Sequence, residues 1–104
     1  MKVLFANEHL KRLYEEGQEK PNKYPPGIID RYIRRIDALR SADTFNDLYK
    51  LKSLKFEKIG NNDKYSMRIN DQYRLEMTYE TQKDGTTQIN VFVIRDITKH
   101  YRKG

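Results

Sequence analysis

The feature that most constrains the fold is an alternation of apolar and polar side chains in two neighbouring runs, over residues 65–70 and 73–79. Tyr65, Met67 and Ile69 alternate with polar residues, and a second alternating run begins at Tyr73. Period two is the pattern of a β-strand with one buried face. We therefore predict two adjacent antiparallel strands whose odd-numbered side chains pack against a core.

The same alternation places two arginines, Arg68 and Arg74, on the opposite, open face of the predicted strands. Residues that share a face on neighbouring antiparallel strands lie close together, and a guanidinium group binds a phosphate through two parallel hydrogen bonds. Arg68 and Arg74 are therefore candidates for one anion site. The competing interpretation is that each arginine pairs with a surface carboxylate, namely Asp71, Glu76 or Asp96.

Helical periodicity fills the first half of the chain. Asn7 has the side chain of an N-cap and precedes a helix predicted over about residues 8–19. After a break rich in proline and glycine, an apolar stripe from Ile29 to Leu39 predicts a second helix over about residues 26–41. Two helices joined by a short break are expected to form an antiparallel pair.

Strands flank these helices on both sides. Residues 1–6 are expected to form a short N-terminal strand, Asp84-Gly85 marks a hairpin turn, and residues 89–94 are apolar on both faces, as in a central strand. We predict one α+β domain over residues 1–104, in which the antiparallel helix pair packs on one face of an antiparallel sheet. The other face is left free to bind.

The distribution of charge indicates what the free face meets. The net charge is +6; residues 1–49 hold nine Lys/Arg and eight Asp/Glu, whereas residues 50–104 hold twelve and seven. This excess favours a nucleic acid, an anionic membrane or an acidic protein as the partner of the second half, with the N-terminal helices as a near-neutral scaffold; the alternative is that the charge only keeps the domain in solution. The absence of cysteine excludes disulfides and suits a reducing cytoplasm. No apolar run is long enough to span a membrane.

Basic side chains are concentrated in the connection before the strands, at Lys50, Lys52, Lys55 and Lys58. In an extended chain the even-numbered lysines would share one face, and Lys55 would not. We expect phosphate contacts from this segment. The alternative is a solvated loop.

The end of the chain carries Asp96, His100 and Tyr101. An imidazole titrates near neutral pH and can act as a general base or acid, and a neighbouring tyrosine can stack on a nucleobase. The alternative is a frayed terminus. The two histidines, His9 and His100, lack the spacing of metal ligands, so we predict neither a metal site nor a cofactor.

Two stretches resemble the HigB toxins of the RelE/ParE superfamily. Residues 49–55, YKLKSLK, are similar to a family segment that reads roughly Y-x-L-H-P-L-K. Residues 65–75, YSMRINDQYRL, are similar to the family's Y-S-I-x-V-N-x-x-W/Y-R-I strand pair. The resemblance implies a RelE-like fold and a toxin that is neutralised by a cognate HigA-like helix-turn-helix antitoxin.

The resemblance also implies a reaction. HigB toxins enter the ribosomal A site and cut mRNA without a metal: the ribose 2′-hydroxyl attacks the adjacent phosphate and leaves a cyclic phosphate and a 5′-hydroxyl. Arg74 matches the strand arginine of the family and Lys55 the lysine of its first motif, so both are expected to stabilise the phosphorane.

At the residues that the resemblance implies for acid–base catalysis, the sequence departs from the family pattern. Lys52 stands where many members have histidine, and Asp96 is separated from His100-Tyr101, whereas many members end in a compact Asp-Tyr-His. Either Lys52 or His100 is the expected general base, and Tyr101 is the expected stacking residue.

Around these catalytic candidates, the remaining site residues are expected to bind RNA: Lys50, Lys58, Arg68 and Asp96. Two other functions stay open: a ParE-like inhibitor of DNA gyrase, and a non-catalytic RNA-binding member of the fold. A gyrase inhibitor would not need a titrating residue on its basic face.

Overall fold

The computed structural model describes residues 1–18, 23–60 and 62–99. Its helices are α1 (Glu8–Glu16), α2 (Ile28–Ser41) and α3 (Phe45–Lys50), followed by a 3₁₀ turn over Lys52–Leu54. Its strands are β1 (Lys2–Phe5), β2 (Glu57–Lys58), β3 (Lys64–Arg68), β4 (Tyr73–Asp84) and β5 (Thr87–Lys99).

The strands form one sheet in the order β1-β5-β4-β3-β2. Strands β2 to β5 pair antiparallel in turn, which confirms the predicted α+β arrangement. The short N-terminal strand β1 joins this antiparallel sheet at its other edge, where it pairs with β5 in parallel. The apolar pattern of a short strand identifies its two faces, but it carries no information about the direction of the strand beside it.

The longest pairing is the β4–β5 hairpin, and its turn lies at the predicted Asp84-Gly85. Gly85 has a φ of 64°, which glycine adopts without steric cost. A bulge beside Glu76 shifts the register of β5. Because of this shift, Ile94 and Ile97 both reach the buried face although they are three positions apart.

The helix boundaries follow from local capping. Asn7 caps α1 as predicted, its side chain accepting a hydrogen bond from the Leu10 N–H at 2.9 Å. The helix ends at Glu16, earlier than predicted, because Gly17 turns into the left-handed region with a φ of 68°. Likewise α2 begins at Ile28, directly after a glycine in the same region.

The first two helices pack against each other as the predicted antiparallel pair. Tyr14 donates a hydrogen bond to Asp37 at 2.5 Å, and Gly17, directly after the end of α1, lies against Ile33, earlier in α2. The fully buried Tyr32 joins both helices, since its hydroxyl donates to the Leu10 carbonyl at 2.7 Å. Within the described part of the chain, no helix is long and apolar enough to cross a membrane.

The helices cover one face of the sheet, and that face is the one predicted from the alternation. The odd-numbered side chains of the two strands and of the residues that join them are buried in a single core with the helices: Tyr65, Met67, Ile69, Tyr73, Leu75 and Met77. The even-numbered side chains of β3 and β4 therefore lie on the open face.

Candidate anion-binding site

Arg74 lies on the open face of the sheet, in a pocket of about 240 Å³. Its Nε donates to the Oγ of Ser66 at 3.2 Å, and its Nη2 donates to the Oε1 of Glu57 at 2.8 Å. Ser66 is buried, and the Arg74 side chain is only 22% exposed. These contacts hold the guanidinium group in a fixed orientation while the pocket leaves it open to solvent. The pocket is completed by Ile59, Glu76 and Thr98.

Arg68 shares the open face with Arg74, as the alternation predicted, and it is the cross-strand partner of Arg74. The register places the two residues directly opposite each other on β3 and β4. Each guanidinium group nevertheless has its own carboxylate, because Arg68 pairs with Asp71 and Arg74 with Glu57. The pairing of Arg68 with Asp71 is the alternative that the sequence left open. A shared anion site therefore remains a prediction, and it requires an anion to compete with these carboxylates.

The basic connection that carries the four lysines is not extended; it is folded into the end of α3 and a 3₁₀ turn. Lys50 ends α3, Lys52 begins the 3₁₀ turn, and the backbone N–H of Lys55 donates to the Lys52 carbonyl at 3.2 Å. The chain turns here because Leu54 and Phe56 are buried in the core. The expectation of a common face for Lys50, Lys52 and Lys58 on an extended chain is therefore wrong.

The four lysines of this connection, Lys50, Lys52, Lys55 and Lys58, are exposed. Across residues 1–18, 23–60 and 62–99, no carboxylate lies within ion-pair distance of any of them, in contrast to the arginines of the sheet. Lys58 pairs with Tyr65 across β2 and β3, so its side chain leaves the sheet on the side away from Arg74. Lysines without ion-pair partners are available to phosphates.

Lys55 has an unusual backbone conformation. Its φ of 45° and ψ of 48° place it in the left-handed region, and it is the non-glycine residue with positive φ among the residues described. This conformation costs a residue with a Cβ roughly 1–2 kcal/mol. Retaining a lysine where glycine is favoured suggests that its side chain is used.

Glu57 is the site residue that sequence reasoning missed. The pairing of β2 with β3 puts Glu57 opposite Ser66, on the same face as Arg74. In the sequence it is one acidic residue inside a run of lysines, and a two-residue strand is too short to show a period. Its only signal in the sequence is its odd number. The apolar Leu54 and Phe56 have even numbers, so in an extended chain Glu57 would point to the opposite face.

Asp96 lies on β5 directly opposite Glu76, so two carboxylates face each other on the open face. Glu76 is paired with Lys64 at 3.2 Å, and Asp96 accepts a hydrogen bond from the Ile97 N–H at 2.8 Å. Asp96 is exposed. Its expected role in RNA binding stays a prediction, because a carboxylate at this position repels phosphate unless a cation lies between them.

The two remaining catalytic candidates, His100 and Tyr101, lie outside the described residues. The last described residue, Lys99, pairs with Tyr73 at the start of β4. Over the described ranges, no three His, Asp or Glu side chains come together as the ligands of a metal ion would.

Comparison with known proteins identifies the family of the chain. A solved structure, a YoeB/ParE toxin from Agrobacterium tumefaciens, superposes with a TM-score of 0.51 at 17% sequence identity, covering 97% of this chain and 100% of that one, which shows the fold. No curated protein matches the sequence. The family described as RelE-like toxin of type II toxin-antitoxin system HigB matches residues 3–93. The chain therefore belongs to the HigB family of RelE-like type II toxins.

Proposed function

We propose that this toxin is an endoribonuclease that cuts mRNA on the ribosome, with the scissile phosphate bound in the Arg74 pocket. The observation that carries the proposal is the fixed orientation of the Arg74 guanidinium by Ser66 and Glu57 on the open face. A guanidinium held in place before the substrate arrives can stabilise charge that develops on a phosphorane without further reorganisation. Membership of the HigB family supports this reaction class.

The reaction needs a base, cations and an acid. The 2′-hydroxyl loses its proton and attacks phosphorus, the bond to the 5′-oxygen breaks, and that oxygen takes up a proton. Arg74 and Lys55 are the cations that stabilise the phosphorane. Lys52 or His100 is the general base that takes the proton of the 2′-hydroxyl, and Tyr101 stacks on a nucleobase. Lys50 and Arg68 bind the adjoining backbone, whereas Lys58, whose side chain leaves the sheet on the side away from Arg74, contacts the RNA farther from the scissile phosphate. No metal ion takes part in this scheme.

Glu57 is a further candidate for proton transfer. Its carboxylate reaches the same pocket as Arg74, so a phosphate that binds Arg74 would arrive beside it. Ser66 and Glu57 accept from two of the five N–H donors of the guanidinium group, so an anion that binds there either uses the remaining donors or displaces Glu57. A carboxylate released in this way is free to accept the proton of a nearby hydroxyl.

The partners follow from the same proposal. A type II toxin requires an antitoxin, and we propose a HigA-like helix-turn-helix protein in that role. The substrate places the toxin on the ribosome and hence in the cytoplasm. A neighbouring reading frame that encodes such a protein would support this assignment.

The proposal is tested with purified protein and programmed ribosomes, and the cut sites are mapped by primer extension. We expect cuts in phase with codons, and we expect Arg74→Ala to slow them by roughly 10²–10³-fold, the usual cost of removing one transition-state donor. Arg95→Ala is the matched control. Arg95 is also an arginine of the sheet with a carboxylate partner, Glu80 at 2.5 Å, but it is not part of the pocket.

Two results would overturn this function. Intact mRNA together with gyrase-dependent DNA breaks would assign the toxin to the gyrase inhibitors. Binding of RNA with no cleavage under any ribosomal condition would make it a non-catalytic member of the fold.

A further inference from the structure

A second group of arginines lies away from the pocket, where α2 approaches the turn between β3 and β4. Arg35 donates from Nε to the Arg68 carbonyl at 2.7 Å, and Arg31 donates from Nη1 to the Ile69 carbonyl at 3.5 Å. Arg34 lies beside them on the same helix. The expectation that the N-terminal helices are a near-neutral scaffold is therefore wrong for this part of α2. Charge counted along the chain does not show which side chains the fold brings together.

Positive charge exceeds negative charge in this cluster, which consists of Arg31, Arg34, Arg35 and Arg68. Two carboxylates balance two of its members: Asp30 pairs with Arg34 at 3.2 Å, and Asp71 pairs with Arg68. Among the residues described, Arg31 and Arg35 donate only to backbone carbonyls. Two guanidinium groups are thus left without a counter-ion.

The protein holds these like charges together at a cost. Arg35 is partly buried, and burial lowers its pKa, helped by the positive charges of Arg31, Arg68 and Arg34. A cation that is desolvated among other cations destabilises the fold unless an anion binds. An arrangement of this kind is typical of a binding site in which a partner molecule supplies the negative charge that neutralises the cations.

The arginine cluster is continuous with the Arg74 pocket. The backbone carbonyl of Arg68 accepts the hydrogen bond from Arg35, the charge of Arg68 acts on Arg35, and Arg68 is also the residue directly opposite Arg74 in the sheet. Paired residues of adjacent strands lie about 5 Å apart at Cβ. A polyanion bound at Arg74 therefore meets Arg68 next, and α2 lies beyond Arg68 at the end of β3, where Arg35 and Arg31 donate to the Arg68 and Ile69 carbonyls.

We propose that Arg31, Arg35 and Arg68 bind backbone phosphates of the RNA strand next to the one held at Arg74. This inference rests on the proposed function and extends its substrate contacts onto α2. RNA fits the cluster better than an acidic protein does, because protein interfaces place apolar side chains at their centre. The exposed large apolar residues of the described chain, Tyr49 and Leu51, instead lie around the end of α3.

The test measures binding without cleavage, using 2′-O-methyl RNA, which has no attacking hydroxyl. A labelled trinucleotide and a strand of about 12 nucleotides, within the range that single-strand sites cover, are titrated by fluorescence anisotropy. The variant is Arg31→Gln/Arg35→Gln. The matched control is Lys11→Gln/Arg12→Gln, which removes the same charge from α1, where Lys11 lines the groove beside β1.

For the longer strand we expect the Arg31→Gln/Arg35→Gln variant to bind roughly three- to tenfold more weakly. The slope of log affinity against log salt should flatten by about 1.4, the value for two lost contacts with a single strand. The trinucleotide should bind unchanged, and the control variant should keep the wild-type slope. If the double variant has a lower melting temperature than the wild type, Arg31→Gln alone replaces it, because Arg31 is exposed. This single variant should give about half the change in slope.

The outcomes separate this inference from the proposed function. If mRNA is cut but both arginine variants keep the wild-type salt slope, the inference is wrong and the cleavage proposal stands. If no cleavage is found but the slope still depends on Arg31 and Arg35, the cluster binds RNA without the chemistry. Loss of affinity for a glutamate-rich peptide, with RNA binding unchanged, would assign the cluster to an acidic protein segment.

Discussion

At the scale of single residues, the behaviour of the pocket depends on competition for the Arg74 guanidinium. Glu57 and Ser66 accept from two of its five N–H donors in the free protein. A phosphate offers the same geometry as the Glu57 carboxylate. In the proposed mechanism the carboxylate thus keeps the guanidinium oriented, but it also competes with the scissile phosphate for it.

Replacing Glu57 should expose this competition. We expect Glu57→Gln to bind the non-cleavable RNA severalfold more tightly, because the amide keeps the shape of the side chain and removes its negative charge. Anisotropy titrations measure the change, and Glu80→Gln, at the carboxylate that pairs with Arg95 instead, is the control. Unchanged or weaker binding would show that Glu57 does not compete with RNA. Tighter binding combined with cleavage slowed by about 10² or more would identify Glu57 as the base.

The strained backbone at Lys55 makes a second residue-scale prediction. Lys55→Gly should raise the free energy of unfolding by about 1 kcal/mol, because glycine adopts the left-handed conformation without the Cβ penalty. The same change should slow mRNA cleavage, because it removes a cation proposed for the phosphorane. Urea denaturation and primer extension measure the two effects. The control is Lys52→Gly, which should lower the free energy of unfolding because Lys52 does not have a positive φ. A Lys55→Gly variant that is less stable than the wild type would contradict this prediction.

At the scale of elements, α3 positions the basic connection, and its N-terminus is held by a capping box. The Thr44 side chain accepts from the Asp47 N–H, while Asp47 accepts from the backbone N–H groups of Thr44 and Asp43. These backbone hydrogen bonds lower the pKa of Asp47 below its ordinary value of 3.8. The contribution of Asp47 to stability is therefore fully present above that value and is lost as the pH falls through the lowered pKa.

The pH dependence of the capping box can be measured directly. The difference in melting temperature between wild type and Asp47→Asn should be constant at neutral pH and should shrink as the pH drops below about 4. Asp84→Asn, in the distant hairpin turn, is the control for general charge effects. A difference that stays constant down to the acid unfolding region would show that the carboxylate charge does not stabilise α3.

The elements also show what could be predicted from the sequence. Alternation identified the buried faces of β3 and β4, and with them the position of Arg74 opposite Arg68. Capping and turn residues such as Asn7 and Gly85 marked boundaries, because their effects act within a few residues. The parallel pairing of β1 with β5 and the approach of Glu57 to Arg74 depend on contacts between distant segments. No local pattern encodes such contacts.

At the scale of the whole molecule, the fold separates a helix-covered face from an open face that carries the arginine pocket. The sheet brings Arg74 and Arg68 together, the 3₁₀ turn presents Lys52 and Lys55 at its edge, and α2 adds two further guanidinium groups. The near-neutral first half of the chain thus contributes to the basic surface after folding. The family of the chain and this arrangement support the proposal that the toxin cuts RNA by promoting attack of the RNA's own 2′-hydroxyl on the adjacent phosphate.

The most direct test of that claim changes one atom of the substrate. An mRNA is prepared with a single 2′-deoxy nucleotide immediately 5′ of the phosphate that the primer-extension map identifies as cut, and it is loaded on ribosomes with the wild-type toxin. We predict that this cut disappears while cuts at unmodified codons persist, leaving cyclic phosphate and 5′-hydroxyl ends. Undiminished cleavage at the deoxy position would contradict the account, because the bond would then be broken without the neighbouring hydroxyl.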